Sequence, residues 1–200
     1  MTTLTMPMGL APGTEMLELY VDDASKTYPG ILKKFIRTIL LIGKDMVVVR
    51  DVIECEGERH AEWLLHYAGS VGGDASTTVI ENEGVALTVT PFLPDRSLGW
   101  RHSDVKRTSY YKDQPGDDVE RSVRYRSFAP FRKAGRFEFL FGFRVAAKQE
   151  AKEGKADGAE WDFEERDDGW ILRGRGIALE IRPEDDTLAT LGGRGAGSEP

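Results

Sequence analysis

Thiol and imidazole are scarce in this chain, whose 200 residues hold one cysteine, Cys55, and three histidines. A single cysteine excludes an internal disulfide. It also excludes a zinc site built on cysteine, which needs two or more thiolates. Cys55 itself reads as a small, partly buried side chain near a turn. Long apolar runs are missing too. No window approaches the ~18 to 20 consecutive apolar residues of a membrane-spanning helix, so no membrane partner is expected. The N-terminus, MTTLTMPMGLAPGTEM, has neither a basic stretch nor a continuous apolar one. It is not a recognisable secretion signal, and the compartment stays open. Phosphate-binding and nucleophile-elbow motifs are absent: Gly192-Gly193-Arg194-Gly195 falls in a tail, and Gly174-Arg175-Gly176 reads as a hairpin turn.

What the chain does have is alternation. Period-two segments recur at 17–21, 31–42, 46–54, 60–68, 76–81, 85–90, 121–128, 135–145, 160–165, 170–175 and 177–182, the pattern of half-buried strands. Turn residues punctuate them, most clearly Asn82-Glu83-Gly84 and Asp167-Asp168-Gly169. Phe137, Phe139, Phe141 and Phe143 share one face of a strand and must cover a core. Ten or so short-spaced strands without helices predict an all-β fold, an antiparallel β-sandwich or supersandwich forming a single domain over 16–183. Residues 1–15 and 184–200 are expected to be disordered, and 146–159 reads as an exposed loop.

Charge is unevenly spread. The net value of −7 argues against a nucleic-acid partner. Between Arg96 and Lys148, however, 13 Lys/Arg face 6 Asp/Glu, a local balance of +7 that leaves −14 for the rest. A basic middle in an acidic protein suits an anionic ligand. Arg121, Arg124 and Arg126 fit that reading and fit equally the solvated face of a strand.

The stretch DMVVVRDVIECEGERHAEWLLHY reads as two strands joined by a short polar turn around Cys55-Glu56-Gly57-Glu58-Arg59. Asp51 lies on the apolar Val47, Val49, Ile53 face, where a carboxylate must be paired. Arg37 on the neighbouring strand is its expected structural partner. His60 and His66 share a parity, but six residues at ~3.3 Å hold them about 20 Å apart, which rules out a shared metal ion. His66 reads as a hydrogen-bonded strand histidine, and no metal or other cofactor is expected.

Four segments together resemble the heparinase II/III-like family of polysaccharide lyases over about residues 24 to 70. They are Tyr28-Pro29, Phe35-Ile36-Arg37-Thr38-Ile39-Leu40-Leu41, Met46-Val47-Val48-Val49-Arg50-Asp51 and Trp63-Leu64-Leu65-His66. The resemblance implies the C-terminal β-sandwich region of such a lyase. It also implies β-elimination on an acidic polysaccharide as the whole enzyme's chemistry, which needs a base, an acid and a group that neutralises the uronate. In the family the catalytic Tyr and His, and the metal ligands, lie upstream of the Tyr-Pro segment, in a helical toroid and early sheet. Only 27 residues precede Tyr28 here, and no histidine precedes His60. The resemblance therefore implies a chain without catalytic residues of its own, whose toroid domain or subunit would be a separate partner. The alternative is a free-standing, non-catalytic β-sandwich that binds carbohydrate or a protein.

The remaining cluster of interest is Trp100-Arg101-His102-Ser103-Asp104-Val105-Lys106-Arg107-Thr108-Ser109-Tyr110-Tyr111. Aromatic rings stack on sugar faces, and arginine pairs bidentately with carboxylate or sulfate. Trp100, Arg101, His102, Arg107, Tyr110, Tyr111, Arg124 and Arg126 are therefore the candidate contacts for an anionic glycan. A polar loop with a few packed aromatics is the bland reading of the same stretch.

Overall fold

The computed structural model describes residues 2–5, 14–21, 28–74, 76–93, 100–112, 118–148, 161–174, 177–183 and 189–191. Alternation becomes strands throughout. In chain order they are β1 Thr2–Thr5, β2 Thr14–Val21, β3 Leu32–Ile42, β4 Met46–Arg59, β5 Trp63–His66, β6 Ser70–Gly73, β7 Thr78–Asn82 and β8 Val85–Leu93. There follow β9 Trp100–Lys112, β10 Asp118–Pro130, β11 Ala134–Ala147, β12 Asp162–Arg166, β13 Gly169–Gly174, β14 Ile177–Ile181 and β15 Ala189–Leu191. No helix among the described residues is long and apolar enough to cross a membrane.

Among the described residues every pairing is antiparallel, and three sheets result. A central sheet runs β1-β2-β3-β4-β11-β8-β7-β6, a second β5-β10-β9 and a third β12-β13-β14-β15. The central sheet is apolar on both faces because its middle strands, β4 and β11, carry large side chains at both parities. Odd-numbered Phe137, Phe139 and Phe141 gather with Cys55, Trp63, Val89 and Phe128, which joins the second sheet to one face. Even-numbered Leu140 gathers with Leu40, Met46, Val48, Leu172, Leu179 and Ile181, which joins the third sheet to the other face. Successive residues of a strand point to opposite sides, so the molecule has three layers and two cores. This is the all-β sandwich the sequence predicts, extended by a third layer.

Several expectations change on contact with the structure. The stretch from Asp45 to Tyr67 is not a hairpin: β4 lies in the central sheet and β5 in the second, paired with β10. The supposed turn at Gly57 is instead the continuation of β4, with Gly57 at φ 72 and a register shift between Ala134 and Arg136 on the partner strand. Residues 100–112, read as a loop, form a 13-residue strand aligned with β10. Charges at both parities hide its alternation from a hydropathy reading. Strand backbone also occupies Thr2–Thr5, Thr14, Glu15 and Ala189–Leu191, within the two segments left outside the domain.

One side chain explains two glycines. A Cβ on Gly142 would lie 2.7 Å from the Trp161 ring, and one on Gly174 would lie 2.9 Å from it. Trp161 thus fits between the central and third sheets only because both backbones lack a side chain there.

Candidate functional site

The geometry around Asp51 comes first, because it welds two layers together. Asp51 is 1% exposed, and its Oδ1 and Oδ2 accept from Arg37 Nε at 2.7 Å and Nη2 at 2.6 Å. Oδ2 also accepts from indole Nε1 of Trp63 at 2.9 Å. Arg37 and Asp51 meet because β3 and β4 place them directly opposite each other. Trp63 comes from the overlying sheet, its ring stacked on Phe141 at 4.1 Å. The hydrogen bond to Asp51 raises the Arg37 pKa above its ordinary value despite the opposing effect of burial. Three donors on one desolvated carboxylate make a fixed structural joint with no accessible lone pair for chemistry.

Arginine repeats this role elsewhere. Arg50 is fully buried, donating through Nε to Glu138 Oε1 at 2.6 Å and through Nη2 to the Arg182 carbonyl at 2.8 Å. Arg136 bridges Glu54 Oε1 at 2.8 Å and the Pro183 carbonyl at 2.7 Å. Both guanidinium groups thereby fasten the end of β14 to the central sheet.

The basic middle of the chain divides into parts. Arg126 is 3% exposed and donates through Nη1 to Thr78 Oγ1 at 2.8 Å and to the Gly72 carbonyl at 3.3 Å. It ties the second sheet to β6 and β7, so it is not a surface contact as the sequence reading had it. Arg124 is exposed and reaches the Gly69 carbonyl at 3.2 Å. Trp100, Arg101, His102, Arg107, Tyr110 and Tyr111 all lie on β9, in register opposite Pro130, Ala129, Phe128, Val123, Glu120 and Val119 of β10. Their backbones sit on the outermost strand of the second sheet, beside Arg124 on β10.

His66 is exposed on β5, its ring centroid 5.5 Å from that of Tyr125. His60 precedes β5 rather than sharing its strand. Among the described residues, no group of three or more His, Cys, Asp or Glu is arranged to hold a metal ion. Sequence reasoning missed the Trp63 contact to Asp51 because β5, although near in sequence, lies in the overlying sheet, and it missed the burial of Arg50 because its partners lie 88 and 132 positions away. A tryptophan at the same parity as apolar neighbours was the available signal for the first.

A three-layer antiparallel β-sandwich with arginine-carboxylate joints is thus the class of protein. No protein-family model matches the sequence, and neither does any curated protein. Solved structures do match in fold. A heparinase III superposes with a TM-score of 0.61 at 11% identity, covering 95% of this chain and 27% of that one. The heparan sulfate lyase HepC of Pedobacter heparinus gives 0.58 at 15% identity, covering 96% of this chain and 28% of that one. A further heparinase III structure gives 0.56 at 13% identity, covering 96% and 26%. The fold is therefore one found in polysaccharide lyases, and the chain spans about a quarter of the length of these structures.

Proposed function

We propose that this chain is the C-terminal β-sandwich portion of a heparinase II/III-like polysaccharide lyase. It supports or binds an anionic glycan while residues outside it perform the β-elimination. The observation that carries this reading is the fold likeness, which takes in nearly all of this chain and only about a quarter of each lyase. The +7 balance of 96–148 supports the sign of the ligand. Arg101, Arg107 and Arg124, with Trp100, His102, Tyr110 and Tyr111, are the proposed contacts, while Arg126 is spent inside the fold. Exposed Tyr28, Ile31 and Phe131 support a docked neighbouring domain. Arg59 links the neighbouring chain segments, donating to the Gly30 carbonyl and pairing with Ala134.

The test combines a heparin column with ultraviolet detection of unsaturated uronate. The purified chain is expected to bind heparin, to elute earlier with the Arg101→Glu/Arg107→Glu pair, and to give a flat absorbance trace on every acidic polysaccharide. Absence of any retention at low salt overturns glycan binding. New absorbance abolished by Tyr110→Phe and His102→Ala overturns the non-catalytic reading and makes β9 an active site.

A further inference from the structure

We propose that the groove between the end of β5 and the β7–β8 hairpin binds an uncharged sugar ring, separately from any anion-binding surface on β9 and β10. The groove has a volume of about 450 Å³, within the range that small-molecule sites occupy. Its apolar wall is Tyr67, Leu87 and Val85, the last of these 45% exposed. Its polar rim is His66, Asn82 and Glu83, all exposed.

The conformation of Glu83 singles this rim out. Asn82 pairs with Val85, leaving a two-residue loop in which Glu83 has φ 45 and Gly84 φ 86. Such a loop suits Asn-Gly or Gly-Gly, and the left-handed region disfavours a long side chain. Glu83 is the single non-glycine residue at positive φ among those described. Among the described residues neither its carboxylate nor the Asn82 amide has a hydrogen-bond or ion-pair partner, so both exposed groups stand open to a ligand at the rim. A glutamate held in the left-handed region at the rim of a groove, its carboxylate open to solvent, points to a ligand.

The lining selects the ligand class. Among the described residues no Lys or Arg lines the groove, and the nearby Lys148 is engaged by Glu81 at 2.7 Å. A lone carboxylate without a cation repels uronate and sulfate. It accepts hydrogen bonds from hydroxyls, while the adjacent amide both accepts and donates. A pyranose presents one C–H face and a hydroxyl edge. The Tyr67 ring with Leu87 and Val85 matches the first, and Asn82 with Glu83 matches the second.

The experiment is an NMR titration of the whole chain with neutral disaccharides (maltose, cellobiose and lactose) beside a heparin disaccharide. Amide shifts confined to 66–68 and 82–87 with at least one neutral sugar are expected. Glu83→Gly is expected to raise Tm by about 2–4 °C, since it relieves the loop, while weakening sugar binding about tenfold. A cooperative melt of the variant at or above the wild-type Tm separates lost binding from lost fold. No shift with any neutral disaccharide, equal shifts at these residues with the heparin disaccharide, or undiminished binding by Glu83→Gly would each overturn the site. Heparin-induced shifts on β9 and β10 alone would leave the lyase-domain reading intact while removing this one.

Discussion

Asp51 on the central sheet and Trp63 on the overlying sheet are joined by one hydrogen bond of 2.9 Å, from indole Nε1 to Oδ2. The same oxygen holds Arg37, so a single carboxylate fixes strand pairing within a layer and contact between layers. Asp51→Asn keeps the shape but leaves the guanidinium without its counter-charge. It is expected to cost about 3 kcal/mol, whereas Trp63→Phe, which keeps the stack on Phe141, costs about 1 kcal/mol. Urea titration of both variants and their double checks this, and strictly additive losses would show that the two groups do not share the joint.

Arg50 tests how far a buried cation matters. Arg50→Met removes the donors of Glu138 and of the Arg182 carbonyl, and is expected to destabilise by about 3–5 kcal/mol. Arg50→Lys should recover only a minor part, because an ammonium cannot span both acceptors as the guanidinium fork does. Thermal unfolding of the two variants reads the difference, and equal Tm values for Lys and wild type would refute the fork.

Gly142→Ala forces a Cβ to 2.7 Å from Trp161. The expected loss is about 1–3 kcal/mol, accompanied by a red shift of tryptophan emission as the ring moves outward. Unchanged emission and stability would mean the ring accommodates the methyl in place.

Cys55 gives a pH dependence. Burial raises its thiol pKa, with Arg59 opposing. The thiol of the unfolded chain ionises near its ordinary pKa of about 8.5, and the folded one ionises only higher. Its contribution is therefore complete below that ordinary value and is lost as pH rises through the folded pKa. Urea midpoints measured from about pH 7 to about pH 10 should fall more steeply for wild type than for Cys55→Ala. The folded thiol should also resist alkylation at neutral pH.

Much of this was legible beforehand, for local reasons. Period-two burial fixes strands such as Leu32–Ile42, and the parity rule alone puts the four phenylalanines of β11 on one core. Arg37 and Asp51 could be matched because a tight turn makes β3 and β4 neighbours. The layering could not be read this way. β5 leaves the sheet of β4 after three residues, and nothing in the composition of His60, Ala61 and Glu62 announces the change. β9 was hidden by its charges. Arg126 looked like Arg124 in sequence, yet one is buried and the other exposed. Within the candidate groove, the turn at Asn82-Glu83-Gly84 was visible, but the left-handed conformation that falls on Glu83 was not.

The central sheet has a consequence for synthesis. β4 pairs on one side with β3 and on the other with β11, and the Arg50–Glu138 bridge spans 88 positions of chain. While a ribosome is still making the intervening segment, one edge of β4 has no partner and its apolar Val47, Val49 and Ile53 face water. Closure must wait for β11 to emerge, so folding is dominated by long loops and proceeds slowly. The nascent chain is therefore most exposed to aggregation in that interval, and a chaperone that shields β-strand edges should raise its yield more than one that acts on the finished protein.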